Sequence, residues 1–284
     1  ISISVGSSCN NSNINKDEYN KLIFYKNKID KVNNHKIWDK AKKFSNNYEL
    51  IHIPNKQNKS ESIAFYKPLS RSYFKLWEII YDFNLLKDNE NKLIMCGLAE
   101  GPGGFIEAFV NYRKKTNKNK TDKIYGITLK SLNKDIPGWK KSAEFLNNNI
   151  NVTISYGKDN TGNLYNIDNI KSFRKLVNNN NVDFITADGG FDFSIDFNKQ
   201  EKLAQRMIYC EIVTALSIQK KDGIFILKIF DIYTDITIQF IYLLSYFYKE
   251  VYITKPLTSR PANSEKYLVC KGFKGIEIEY LENL

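Results

Sequence analysis

A carboxylate, an amine and a second carboxylate stand at the ends of three apolar runs in this sequence. Asp188 follows Phe184-Ile185-Thr186-Ala187 and precedes Gly189-Gly190. Lys228 ends Ile224-Phe225-Ile226-Leu227, and Glu265 opens Lys266-Tyr267-Leu268-Val269-Cys270. An amine ending so apolar a run is expected to be partly desolvated, which lowers its pKa toward the range where it exchanges a proton. Each residue alone has an ordinary explanation: an Asp-Gly turn, a lysine reaching for water, a solvated glutamate. Two acids and an amine on one edge of a ligand pocket are a different matter, because together they can orient and move a proton.

The pocket is supplied by Cys96-Gly97-Leu98-Ala99-Glu100-Gly101-Pro102-Gly103-Gly104-Phe105, between the apolar Leu93-Ile94-Met95 and the helical pattern Phe105–Val110. A strand, a glycine-rich turn and a helix bring backbone N–H groups and a helix N-terminus against a ligand. No Gly-Lys-Ser/Thr follows, so the turn is not a P-loop, and the spacing does not fit the dinucleotide fingerprint. A nucleoside ligand without a pyrophosphate fits better, S-adenosylmethionine first among them.

Positioning these groups requires alternating elements. Strands are expected at 92–97, 123–128, 151–155, 182–187, 222–229, 250–254 and 266–272, with helices at 104–114, 138–147, 167–177, 199–219 and 234–248. Upstream, helical patterns cover Glu18–Tyr25, 36–48 and Tyr66–Phe83, the last with Ser70 near its start. Such alternation predicts βαβ units and a mainly parallel sheet with helices on both faces. The connection between the last two strands carries Pro256 and Pro261 and no helical pattern, so an antiparallel return is expected. Six parallel strands plus one antiparallel strand is the α/β, Rossmann-like architecture of class I methyltransferases. In open α/β sheets ligands sit beyond the carboxyl ends of the strands. A reversed last strand begins on that edge, so Asp188, Lys228 and Glu265 should converge.

Composition narrows the partners. The 284 residues carry 42 Lys and Arg against 31 Asp and Glu, a formal charge of +11, which suits a polyanion. Part of that charge, as in Arg113–Lys120, reads as a solvated loop. The longest strongly apolar run, Phe240–Leu244, is far too short for a membrane span. Cys9, Cys96, Cys210 and Cys270 show no paired spacing and read as free thiols of a reducing, intracellular compartment, nucleus or cytoplasm. With His35 and His52 the only imidazoles, no metal site is expected. Ile1 in place of Met leaves room for residues upstream, and no signal-sequence pattern is seen at the start. Residues 1–65 read as an N-terminal polar arm with helix, and 66–284 as the catalytic domain.

The chain resembles the FtsJ/RrmJ-type RNA ribose 2′-O-methyltransferases, and more closely the cap-specific mRNA nucleoside 2′-O-methyltransferases. Ala99–Phe105 (AEGPGGF), Gly126–Lys130 (GITLK), Ala187–Phe191 (ADGGF), Gly223–Asp231 (GIFILKIFD) and Lys255–Gly272 (KPLTSRPANSEKYLVCKG) carry the likeness in order. The resemblance implies a Lys-Asp-Lys-Glu tetrad on Lys75, Asp188, Lys228 and Glu265, the first from Arg71-Ser72-Tyr73-Phe74-Lys75. Lys228 is then the base for a ribose 2′-hydroxyl, Asp188 and Glu265 orient it, and Lys75 helps hold the ribose oxygen. It implies S-adenosylmethionine contacts from Ser70, Arg71, Ala99, Glu100, Gly101, Pro102, Gly103, Gly104, Phe105, Thr128, Leu129 and Asp188. For RNA it points to Asn198, Lys199, Gln200 and Asn263, and to Trp38 and Asp39 for the cap. The implied substrate is the 5′ end of capped mRNA, with other capping or transcription proteins as further partners, in a nuclear, cytoplasmic or viral setting. An acid usual after the first strand is replaced by Gly97, and either Glu100 substitutes for it or Glu100 faces solvent. Two other readings stay open: an FtsJ-like enzyme of ribosomal or transfer RNA, and a non-catalytic RNA-binding subunit that keeps the fold.

Overall fold

Short runs of Ile, Val and Phe without a polar face cannot lie on a half-solvated sheet, and the chain stacks them into one sheet covered on both sides. The structure, a computed structural model, describes residues 15–52, 62–86, 92–115, 121–130, 138–179, 181–190, 197–282 and 284. Its strands are β1 (Ile94–Leu98), β2 (Lys123–Ile127), β3 (Val152–Ser155), β4 (Val182–Ala187), β5 (Gln219–Ile229), β6 (Tyr248–Thr254) and β7 (Lys266–Phe273). They lie in the order β3-β2-β1-β4-β5-β7-β6. β1 pairs in parallel with β2 and β4, β2 with β3, and β4 with β5, while β7 runs antiparallel between β5 and β6. This is the expected six-plus-one sheet. Strand order reverses at β1 and β4, so the crevice between their carboxyl ends is the ligand position of such a sheet.

Alternate residues of each strand feed opposite layers. On one face α3 (Ser72–Asp82) and α4 (Gly104–Lys114) pack Leu76, Ile80 and Phe109 against Met95, Phe184, Ile226 and Val269. On the other, α6 (Ile167–Leu176), α7 (Gln200–Ile218) and α8 (Asp235–Phe247) pack Phe173, Ile212, Leu216 and Leu244 against Ile185, Phe225, Leu227 and Leu268. Each such side chain removed from water stabilises the fold by roughly 1.5–3 kcal/mol. α5 (Ala143–Asn148) joins the first layer through Phe145 and Leu146, and outside these layers lie α1 (Lys16–Lys26), α2 (His35–Ser45) and α9 (Ile278–Glu282). α1 is tied to the end of β5 by an ion pair, Lys26 Nζ to Asp231 Oδ2 at 2.7 Å.

Two expectations need correction. The helix expected over 66–83 begins only at Ser72. Pro68 disfavours helical geometry at Lys67, and the stretch is instead pinned to α4, where the Tyr66 hydroxyl and the Leu69 N–H both donate to Glu107 at 2.6 and 2.8 Å. Arg113 is not part of a solvated loop. It is 2% exposed, and its guanidinium donates to both oxygens of Asp122 at 2.7 and 2.9 Å. A bidentate fork of this kind is what lets a charge pair stay buried.

Candidate functional site

Four side chains from four elements meet at the carboxyl edge of the sheet. Lys75 projects from α3, Asp188 follows β4, Lys228 ends β5 and Glu265 precedes β7. Lys228 Nζ lies 3.2 Å from Asp188 Oδ1 and donates to the Asp188 carbonyl at 2.9 Å. Lys75 Nζ lies 2.5 Å from Glu265 Oε1. Glu265 is 4% exposed and also accepts from the Ser259 hydroxyl at 2.7 Å. Burial raises the pKa of that carboxyl, yet Lys75 and Lys228 outweigh burial and hold it below the usual range.

Lys228 reverses the direction expected from its apolar strand. Burial does push its pKa down, but the acids around it, Asp188 and Glu265 foremost, together outweigh burial, and the net direction is up. The strand pattern shows desolvation but not the acids that tertiary structure gathers around the amine. Lys228 therefore rests as an ammonium.

The glycine-rich turn lies in the crevice between β1 and β4. Ala99 takes a positive φ of 55°, and its N–H donates to the Ile127 carbonyl at 2.7 Å. Gly103 has φ +98°, and a Cβ there would sit 2.4 Å from the Trp139 ring, so only glycine fits. The Thr128 hydroxyl accepts from Gly101 N–H at 3.4 Å, bringing the end of β2 to the turn, with Leu129 next to it and 39% exposed. Ser70 reaches the start of α4: its Oγ would lie 2.1 Å from a Cβ on Gly104. Pro102 accepts from the Ser142 hydroxyl through its carbonyl. Phe105 is 1% exposed and packs on Tyr267, so its ring fills the core below the turn rather than facing a ligand. Glu100 does not face solvent. It is 5% exposed, and a Cβ on Gly97 would lie 2.7 Å from its Oε2. The missing side chain at Gly97 is thus the space its carboxylate fills.

Arg71 stands within electrostatic reach of Glu265. Its guanidinium donates to the carbonyls of Tyr48, Glu49 and Thr258 at 2.7, 2.9 and 3.1 Å, so it fastens the segment before β7 to the N-terminal region. Of the residues expected at RNA, Gln200 accepts from the Ser264 hydroxyl at 2.6 Å, and the Asn263 side chain accepts from Glu265 N–H at 3.1 Å. Asn198 donates to Asn27 at 3.1 Å, just past α1, and Lys199 precedes α7. The structure thus brings Gln200 and Asn263 to the flank of Glu265, with Asn198 and Lys199 preceding Gln200 in the chain. Trp38 is half-buried on α2, and the Asp39 side chain and Phe191 lie outside the described residues.

Several site residues have no sequence signal of their own. The Tyr267 hydroxyl donates to Asp188 Oδ1 at 3.0 Å, and Tyr267 is the register partner of Lys228. Glu78 accepts from the N–H groups of Leu257 and Thr258 and the Thr258 hydroxyl at 2.5, 3.0 and 2.8 Å. Glu211 is 0% exposed in the middle of α7. Only Tyr267 was reachable from the sequence, since it neighbours Glu265 two residues away in an antiparallel strand.

Chemically, the edge can hold a hydroxyl oxygen between two ammonium groups and receive a nucleoside at the turn. Comparisons with known proteins agree with that chemistry. The family model described as FtsJ-like methyltransferase matches residues 68–273. Human cap-specific mRNA (nucleoside-2′-O-)-methyltransferase 1 is 38% identical over 203 residues, covering 68% of this chain and 23% of that protein. The Drosophila melanogaster protein of the same name is 35% identical over 182 residues, covering 63% and 22%. The chain therefore spans under a quarter of the length of these curated relatives. A solved structure described as a ribosomal RNA methyltransferase from Plasmodium falciparum shares the fold, with a TM-score of 0.50, 23% identity, and coverage of 73% of this chain and 99% of that one.

Proposed function

Because this chain belongs to the FtsJ-like methyltransferase family, we propose that it transfers a methyl group from S-adenosylmethionine to the ribose 2′-hydroxyl of the first transcribed nucleotide of capped mRNA. The observation that carries this reading is the pairing of Lys75 with Glu265 and Lys228 with Asp188 on the edge that also bears the glycine-rich turn. The likeness to cap-specific relatives supports capped mRNA as substrate.

The donor's demands fit the residues present. Gly103 leaves the turn without a side chain, and the buried Glu100 carboxylate has no well-formed hydrogen bond among the described residues. When bound, S-adenosylmethionine supplies an electrophilic methyl on a sulfonium, and with it a positive charge. Lys228 releases its own proton more readily beside a positive charge, and its free amine then accepts the proton of the 2′-hydroxyl as the oxygen attacks. Lys75, anchored by Glu265, holds that oxygen in place. Asp188, fixed by Tyr267, orients Lys228. Alignment of the two reactants supplies much of the acceleration. Residues 1–65 serve as an RNA-contacting arm in this reading, with Trp38 available to stack on a base and α1 already tied to the β5 end through Lys26.

Labelled donor offered with capped, uncapped and ribosomal RNA tests the proposal. Label on the first nucleotide of the capped RNA alone is expected. Label on ribosomal RNA instead would move the substrate, and no transfer to any RNA would leave only a binding role.

A further inference from the structure

Glu100 and Glu211 each bury both carboxylate oxygens without a well-formed hydrogen bond among the described residues, the Thr186 hydroxyl facing Glu100 and the Gly189 N–H facing Glu211. Glu211 lies beneath Gly189: a Cβ there would sit 2.3 Å from Glu211 Oε1 and 3.0 Å from the Ala99 Cβ. Glu100 lies over Gly97, as described. Both acids therefore converge on the crevice between the carboxyl ends of β1 and β4. Around Glu211 stand Lys228 and Asp188 on the sheet, Cys210 on its own helix and Tyr165 before α6. Around Glu100 stand Thr186, Asp188, Glu211, Lys228, Cys96 and Tyr267.

A buried carboxylate without a partner is costly unless it is neutral or meets a cation. Among the described residues the cation acting on Glu100 and Glu211 is Lys228, and it is already paired with Asp188, so it cannot balance both acids ionised. We propose that Glu100 and Glu211 are specificity-determining residues that read the positive charge of the methyl donor: both neutral in the empty protein, one of the pair ionises when a sulfonium enters, so the cationic donor is held more tightly than its neutral thioether product. This rests on the methyltransferase reading above. Burial raises both acids, and Glu211, raised to about 8, exchanges its proton in an accessible pH range. The consequence is mechanistic as well as selective. Transfer of the methyl group removes the charge, the ionised acid takes its proton back, and the product loses its hold.

Isothermal titration of the full chain with S-adenosylmethionine and with S-adenosylhomocysteine, in two buffers of different ionisation enthalpy between pH 7 and 9, tests this. The donor is expected to release protons on binding and the product not to. Donor affinity should rise with pH by up to about tenfold per unit for each proton released. Glu211→Gln and Glu100→Gln should reduce the release and narrow the donor-to-product ratio. Equal proton release for both ligands in the wild-type protein overturns the proposal without any variant. So does release that survives both substitutions in full, which would assign it to Lys228. If neither ligand binds, the methyltransferase reading itself falls, an outcome distinct from binding without differential release.

Discussion

Lys228 enters the reaction carrying its proton, because its neighbouring acids, Asp188 and Glu265 foremost, stabilise its ammonium more than burial opposes it. Its role as base thus depends on a second positive charge reaching the cleft. Lys228→Arg keeps the charge and cannot accept a proton at any working pH. Methyl transfer by that variant should drop by about a hundredfold or more, as removal of a general base does, with donor affinity largely kept. A pH–rate profile that stays near normal would remove Lys228 as base. Glu211 makes a separate prediction on the unliganded protein. Its folded pKa of about 8 lies above its ordinary 4.5, so the fold favours the protonated form. Over that interval the native state holds a proton that the unfolded state has lost. Stability from this group is therefore complete below about 4.5 and is lost as pH rises to about 8, an effect on the order of a few kcal/mol. Urea denaturation should show Glu211→Gln gaining on the wild-type protein between pH 5 and 8.5. A constant difference would mean that Glu211 is ionised in the fold.

The segment between β6 and β7 is the element that most needs holding, since it has no helix or strand of its own. Glu78 on α3 accepts three hydrogen bonds from Leu257 and Thr258, Arg71 donates to the Thr258 carbonyl, and Lys255 donates to the carbonyls of Asn263 and Glu265. These bonds place Glu265 against Lys75. Glu78→Ala should cost about 2 kcal/mol of stability, the scale of a lost charge-assisted hydrogen bond. It should also lower methyl transfer while donor affinity, set at the turn, changes little. A variant that lost donor binding and transfer together would place the segment's role elsewhere. Arg113 shows the same point at the far end of the molecule. Its neighbours in sequence are lysines and polar residues, yet helix α4 carries it to Asp122, where it is buried.

Across the whole molecule, a formal charge of +11 surrounds a cleft that is itself rich in acids. The surface and the cleft therefore address different partners: basic surface suits phosphates, while the buried acids suit a cation. RNA affinity should fall with added salt, by about twentyfold between 50 and 200 mM if three phosphates of a single strand are neutralised. Donor affinity should be nearly indifferent to salt, because its charge is met in a screened, buried site. Parallel titrations of a capped oligonucleotide and of S-adenosylmethionine check this, and equal salt slopes would contradict it. Among the described residues no helix is long and apolar enough to cross a membrane.

Alternation of apolar runs and amphipathic stretches was enough to determine the sheet, its reversed last strand and the edge on which Asp188, Lys228 and Glu265 lie. Those are consequences of local periodicity and connection length, which a linear chain displays directly. Where Lys67 yields to Pro68 and helix α3 starts late was also written locally, though easily read past. What only tertiary structure decided was which charges share a space. Glu211 looks like any helical glutamate, Arg113 like a loop cation and Glu100 like a turn residue, until packing removes the water around them. Burial and pairing are properties of neighbours far apart in the chain, and they set the proton affinity of Lys228 in the direction opposite to the one its own strand suggests.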